Sequence, residues 1–260
     1  MILRRNGNKS QIAHLIHPHF PEHKIYIEPF FGAGGMFFNK PKVKYNFLND
    51  LDDDVYNLFM VVKNNRQELY RQIELMPIHQ SIMKLWKKNN EVDPVWKAIR
   101  FLFISNFTYL SKGYNMKFSA DNTKQVLLSR IEPTFEYMKD AKFMKVDFRD
   151  VLKKISFADE SNLCKRSDSF IYSDGPYYET EGWYTENSNQ EKDVIDHFDM
   201  LCESGLKFAM SEFDNKFILD NAKQRGLNVI TIGERRNLKN RRVEILITNY
   251  EKDRQIKLFN

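Results

Sequence analysis

A glycine-rich turn between two short apolar runs constrains this chain more than any other feature. Ile25-Tyr26-Ile27 leads into Glu28-Pro29-Phe30-Phe31-Gly32-Ala33-Gly34-Gly35, and a second run, 43–48, leads into Asn49-Asp50. Short runs rich in β-branched and aromatic residues read as buried strands. Glycines directly after the first strand let the backbone adopt positive φ and approach a ligand, and a helix is predicted to follow them. In open sheets of alternating strands and helices, ligands settle at the carboxyl ends of strands, where such turns lie. No Lys-Ser/Thr pair accompanies the glycines, which disfavours a nucleoside triphosphate. Asp50 stands where a carboxylate would hold ribose hydroxyls, and Asp147 closes a later run in the same way. Taken singly these are tight turns or helix caps; taken together they favour a nucleoside-type cofactor.

A helix is predicted from about Asp52, with Asp53 and Asp54 at the positive end of its dipole. The pattern then stays helical to about Asp140, as in 81–88 and 95–102. Strands return at 142–146, 169–173, 207–211, 227–232 and 243–248, with helices over 190–203 and 215–224. This alternation predicts an α/β fold with a mostly parallel sheet covered on both faces. The last two strands, joined by a short basic loop, are expected to pair antiparallel at the sheet's end. The predicted organisation is a core of 1–54 and 141–260 split by a helical insertion of 55–140.

Composition bounds the function loosely. A formal charge of +5 and a pI near 8.9 permit a polyanionic partner without requiring one. Cys164 and Cys202 make neither a zinc site nor a disulfide framework, so no metal and a reducing cytoplasm are expected. Residues 1–19 contain no signal-peptide run, and no segment approaches the ~20 apolar residues of a membrane span.

Asp174-Gly175-Pro176-Tyr177 follows the run Phe170-Ile171-Tyr172-Ser173. Alone it is a set of turn formers. In its setting it completes a pattern that resembles the Dam-type (D12 class, alpha-group) DNA adenine-N6 methyltransferases over nearly the whole chain. The resemblance is carried by Gly7-Asn8-Lys9, the Glu28–Gly35 turn, Asn49-Asp50, Asp147-Phe148, the tetrapeptide, and Glu244-Ile245-Leu246-Ile247-Thr248-Asn249-Tyr250. It implies a Rossmann-like S-adenosylmethionine-dependent methyltransferase core with a target-recognition insertion. It also implies methyl transfer to N6 of a flipped-out adenine in duplex DNA, with S-adenosylhomocysteine as product. By the same resemblance, Asn6, Gly7 and Lys9 lie near the methionine part of the cofactor and Phe31, Gly32, Ala33 and Gly34 wrap its backbone. Asp50 holds the ribose, Asp147 and Phe148 border the adenine ring, and Glu28, Phe30 and Asp174 complete the cofactor-binding set. The expected setting is the cytoplasm of a bacterium, or of one hosting a virus that encodes the chain, as a monomer or weak dimer. A restriction partner is left open.

The chemistry accounts for the catalytic set Asp174, Gly175, Pro176 and Tyr177. The N6 lone pair is delocalised into the purine, so it must be drawn out of conjugation and aimed at the methyl group. The Asp174 carboxylate and the Gly175 carbonyl can accept the two amino hydrogens and favour the tetrahedral nitrogen of the transition state. Tyr177 offers an aromatic face to the flipped base. Tyr178, Trp183 and Tyr184 either wall the pocket or pack in a loop. Cytosine-C5 methylation needs a cysteine nucleophile, usually after proline; leucines precede both cysteines here, which disfavours that class. Cytosine-N4 methylation shares the amine logic and stays open.

Candidate DNA contacts fall in two places. The insertion carries Lys84, Lys87, Lys88, Lys97, Arg100, Lys112, Lys117, Lys124 and Arg130, either a solvated face or a DNA face. Arg235, Arg236, Lys239, Arg241 and Arg242 in the late hairpin are expected on phosphates. Asn106 and Asn115 are candidates for adenine edges and Lys112 for guanine, with Arg130 beside them. GATC is the target by family weight alone, because this stretch does not match the recognition segment of the GATC-modifying relatives.

The usual family tetrapeptide is Asp-Pro-Pro-Tyr, and Gly175 lacks proline's fixed φ. One alternative is therefore a catalytically weakened or inactive methyltransferase-like DNA-binding protein; another is methylation of RNA or of a protein glutamine. If rigidity is what glycine lost, Gly175→Pro keeps or raises the methyl-transfer rate. A collapse in rate means that the pocket is built around glycine.

Overall fold

The computed structural model describes residues 2–5, 7–88, 90–111, 113–117, 122–157, 166–179, 190–236 and 241–251. In chain order the elements are helix α1 (Ala13–Ile16), strands β1 (Ile25–Glu28) and β2 (Tyr45–Asn49), and helices α2 (Asp53–Asn64), α3 (Arg66–Leu75), α4 (Gln80–Trp86), α5 (Pro94–Phe107) and α6 (Thr123–Met138). Strands β3 (Lys142–Met144) and β4 (Ser169–Ser173), helix α7 (Gln190–Glu203), strand β5 (Lys207–Phe213), helix α8 (Lys216–Gln224), and strands β6 (Asn228–Arg236) and β7 (Arg241–Thr248) follow. The strands form one seven-stranded sheet in the order β3-β2-β1-β4-β5-β7-β6. β1 runs parallel to β4 and β4 to β5, and β2 runs parallel to β3. β7 is antiparallel to both β5 and β6. The mostly parallel α/β expectation holds, and chain order reverses at β1–β4, the place where such sheets open a ligand crevice. Among the described residues no helix is long and apolar enough to cross a membrane.

Local chemistry explains these elements. β1 and β4 are buried at every residue, as central parallel strands must be. Asp52 caps α2, its Oδ1 accepting from the Asp54 and Val55 N–H groups at 3.0 and 3.4 Å. Asp93 caps α5 with Pro94 at the first helical position, and Asn215 caps α8 through the Phe217 N–H at 2.8 Å. Each cap satisfies donors that the helix start leaves orphaned.

The chain clusters into two compact units. The first contains Met1–Ala13, Phe31–Lys42 and Phe47–Asp147. The predicted insertion therefore shares a unit with the glycine turn and β3. Here Phe31 packs edge-on against Phe59 of α2 and Phe143 of β3, with ring centroids 4.8 and 5.0 Å away. Lys97 and Lys145 pair with Asp53, and Arg100 pairs with Asp54. Lys124 donates to the Met76 carbonyl at 2.8 Å, just past the end of α3. Lys97, Arg100 and Lys124 thus bind the helices to one another. The second unit contains His14–Phe30, Val43–Asn46 and Phe148–Asn260. Its interior includes Phe20 against Phe170 at 4.6 Å.

Three expectations are corrected. No α-helix follows the glycine turn, only a 3-10 turn over Phe37–Asn39. Phe37 is buried, the Asn39 side chain donates to the Gly35 carbonyl at 2.8 Å, and Pro41 stops further winding. β3 ends at Met144 rather than Val146. Beyond it the Asn49 amide takes over the ladder, donating to the Val146 carbonyl and accepting from the Val146 N–H, both at 2.9 Å. β2 also lies slightly later than expected, at Tyr45–Asn49.

Phe59 is wholly buried against Phe31, Phe38 and Phe143. Phe59→Ala is expected to lower unfolding free energy by about 3–5 kcal/mol in denaturant titration. A loss below about 1 kcal/mol would contradict the packing described here.

Candidate active site

In the first unit the glycine turn is hung from the end of β2. The Phe31 N–H donates to the Asn49 carbonyl at 2.8 Å, and the Gly32 N–H donates to Asp50 Oδ2 at 2.6 Å. Gly32 has φ +55, and nothing lies within 4 Å of where its Cβ would stand. The backbone there leaves room for a ligand. Gly35 lies hard against Asn8 and the Lys9 and Ser10 amides, so a Cβ would fall 2.0 Å from Asn8 Oδ1. Gly7 and Lys9 thus sit in a segment packed on the glycine turn, with Lys9 buried and its Nζ donating to the Gly7 carbonyl at 3.4 Å. Asn6 lies outside the described residues. Asp147 is half-buried at the end of this unit.

Asp50 is 3% exposed. Its other oxygen, Oδ1, accepts from the Asp52 N–H at 2.9 Å. Burial pushes its pKa up to about 6, against the pull of Arg5 and the two N–H groups. Arg5 itself pairs with Asp52 at 3.0 Å. Each Asp50 oxygen takes one N–H and keeps acceptor capacity, which suits the two hydroxyls of a ribose. The open side of Gly32 and this carboxylate fit a nucleoside-type group.

In the second unit the exits of β1 and β4 meet. Glu28, at the end of β1, accepts from the Tyr26 hydroxyl at 2.9 Å. Asp174, Gly175 and Pro176 are half-buried beyond β4. Phe30 lies beside Gly175, packs against Phe148 at 5.2 Å and meets the His197 ring edge-on at 5.1 Å. Arg149, next to Phe148, pairs with Asp193 and with Asp196 at 2.7 Å, tying this corner to α7. Tyr177 is 8% exposed; its hydroxyl donates to the Glu244 carboxylate, and its ring meets Phe213 edge-on at 4.6 Å. The Tyr178 N–H donates to Glu212 Oε1 at 2.7 Å, and the Tyr178 ring stacks on Phe217 of α8 at 4.9 Å. Tyr178 therefore packs in place, while Trp183 and Tyr184 lie outside the described residues. Burial first, then the carboxylates of Glu28 or Asp174, raise the phenol pKa values of Tyr26, Tyr172 and Tyr177 well above the ordinary range. All three stay neutral and able to donate.

Arg5, His197, Glu212 and Glu244 escaped assignment at the sequence level, although Glu244 lay in a quoted motif. The usable signal was a carboxylate within an otherwise apolar strand, in Ala-Met-Ser-Glu-Phe and in Val-Glu-Ile-Leu.

Among the DNA candidates, Asn106 is turned inward. Its amide donates to the Leu102 carbonyl at 3.0 Å and to Ser105 Oγ at 2.9 Å, so it serves α5 rather than a base edge. Asn115 is exposed in the loop closed by the Thr108–Met116 bridge, and Arg130 is half-buried on α6. Lys112 and Lys239 lie outside the described residues. In the β6–β7 register Arg235 faces Arg242 and Arg236 faces Arg241. Arg242 also lies over the Phe213 ring at 5.2 Å.

The buried Asp50 carboxylate beside the open Gly32 turn suits a nucleoside-type ligand on an α/β sheet. Comparison with known proteins gives the family: the profile described as D12 class N6 adenine-specific DNA methyltransferase matches residues 6–238, and the chain belongs to that family. It is 30% identical over 192 residues to a DNA adenine methylase of Haemophilus influenzae, covering 67% of this chain and 63% of that one. It is 25% identical over 287 residues to the Modification methylase StsI of Streptococcus sanguinis, covering 94% and 42%. A third relative, the Type II methyltransferase M1.LlaDCHI of Lactococcus lactis subsp. cremoris, is 24% identical over 278 residues, covering 94% and 93%. The matched region spans less than two thirds of the first two relatives.

If Asp50 accepts from a ribose diol, it must be ionised, the form that dominates above about pH 6. Calorimetry with S-adenosylhomocysteine is expected to show affinity falling roughly tenfold per pH unit below that value. Asp50→Asn is expected to weaken binding by about 10- to 100-fold at pH 7.5 and to flatten the pH profile. Wild-type binding that stays level from pH 7 to 5 would count against this role.

Proposed function

We propose that the chain transfers a methyl group from S-adenosylmethionine to the exocyclic N6 of an adenine in duplex DNA. The observation that carries this reading is the Asp174-Gly175-Pro176-Tyr177 exit from buried β4, in a chain whose family match spans 6–238. Bound S-adenosylmethionine supplies an electrophilic methyl group on a sulfonium. Gly7, Lys9, Phe31, Gly32, Ala33, Gly34, Asp50 and Asp147 of the first unit would hold it.

The tetrapeptide acts on the nucleophile. The Asp174 carboxylate and the Gly175 carbonyl accept the two amino hydrogens and draw the nitrogen lone pair out of the ring. The proton released after transfer passes along the hydrogen bond to Asp174. His197 is no general base, because burial first and Arg149 second push its pKa down to about 3. Tyr177, anchored by Glu244 and Phe213, offers the aromatic surface that replaces lost stacking when the base leaves the duplex.

The late hairpin supports DNA as substrate. Arg235, Arg236, Arg241 and Arg242 fall at paired positions of β6 and β7, a basic stretch in sequence. A cluster of arginines of this kind suits a phosphate backbone. Exposed Asn115 is the adenine-edge candidate that remains after Asn106 is set aside, and Lys112, the guanine candidate, lies outside the described residues.

Asp174→Ala is expected to cut kcat for labelled-methyl transfer to duplex DNA by at least about 10²-fold while leaving the thermal midpoint within a few degrees. Full activity in that variant would remove Asp174 from the mechanism.

A further inference from the structure

We propose that His197 of α7 is a positioning residue for the tetrapeptide, and that with Phe30 it reserves position 175 for glycine. This inference rests on the methyl-transfer reading above. A Cβ built on Gly175 would stand 3.2 Å from Phe30 Cε2 and 3.3 Å from His197 Cε1. Such distances are tighter than ordinary van der Waals contact, so a side chain there needs the Phe30 and His197 rings to give by a few tenths of an ångström. Neither ring yields readily. Phe30 is packed on Phe148, and His197 is 6% exposed with Phe30 and Phe148 at its edges, 5.1 and 5.5 Å away.

A second contact fixes the imidazole. Its Nε2 lies 2.6 Å from Ser173 Oγ, both groups being buried. Ser173 is the last residue of β4 and directly precedes Asp174. His197 therefore holds the tetrapeptide twice, by a hydrogen bond at Ser173 and by a wall at Gly175. The ring remains neutral at physiological pH, since burial lowers its pKa to about 3, and its contribution is geometric. Glycine by itself leaves its φ loosely set. Here the rings of Phe30 and His197 restrict the adjoining peptide from outside, and the Gly175 carbonyl stays aimed without a ring of its own.

The test is a double-mutant cycle on the full chain, with kcat and KM measured for duplex DNA and S-adenosylmethionine and thermal midpoints recorded in parallel. Gly175→Pro alone is expected to lower kcat by at least about tenfold, the scale of a small misplacement of reacting groups. Adding His197→Ala to Gly175→Pro, which opens the wall, should recover much of that loss, a coupling that independent sites do not show. His197→Ala alone should lower kcat with both KM values within about twofold, and His197→Gln, whose amide can meet Ser173, should restore part of it. A merely structural histidine would instead shift KM and midpoint together. Full activity of Gly175→Pro, or strictly additive losses in the double variant, would overturn the proposal. If the wild-type chain transfers no methyl to adenine, the functional reading fails. The midpoints then decide separately, coupling between 175 and 197 supporting the steric arrangement and additivity refuting it.

Discussion

Two backbone N–H groups, from Gly32 and Asp52, converge on the buried carboxylate of Asp50. One belongs to the turn after β1 and the other to the cap of α2, so a single side chain sets two backbone segments. Burying a carboxylate is unfavourable unless donors replace its lost water, and these N–H groups with Arg5 nearby are the replacement. Asp52 extends the arrangement by capping α2 and pairing with Arg5. Asn49, one residue earlier, holds the Phe31 amide through its carbonyl and Val146 through its side chain. The geometry of the glycine turn thus derives from three polar residues within four positions, Asn49, Asp50 and Asp52.

The second unit uses the same principle with phenols in place of amides. Glu28 and Glu244 are buried carboxylates, each reached by a tyrosine hydroxyl, and buried Glu212 takes the Tyr178 amide. A donor on a buried acid offsets part of its lost hydration, and that contact fixes the donor. Tyr177 and the peptide after it are thereby set from beneath by strands β5 and β7. The antiparallel insertion of β7 between β5 and β6 brings Glu244 to the hydroxyl of the tetrapeptide's tyrosine.

Much of this was legible in the residues. Strand runs, the α7 and α8 helices, the start of α2 near Asp52 and the antiparallel final pair follow from periodicity and helix-dipole chemistry. What escaped depended on contacts distant in sequence. The missing helix after Gly35 reflects Asn39 folding back and Pro41 closing the turn, which outweigh the helical pattern of Met36-Phe37-Phe38. Asn106 resembles a base reader in its segment, but on α5 it faces inward and meets the Leu102 carbonyl and Ser105 hydroxyl of its own helix. Lys97 and Arg100 read as a basic face until α2 supplies Asp53 and Asp54. His197 gave no local signal, since its meaning comes from Ser173, Phe30 and Gly175, all far away along the chain.

The most direct measurement is methyl transfer to mixed-sequence duplex DNA from labelled S-adenosylmethionine, followed by digestion to nucleosides and mass spectrometry. The account predicts N6-methyladenine, confined to a short recurring sequence. Methylation confined to cytosine N4, or no methylated base at all from protein that binds S-adenosylhomocysteine, would contradict it.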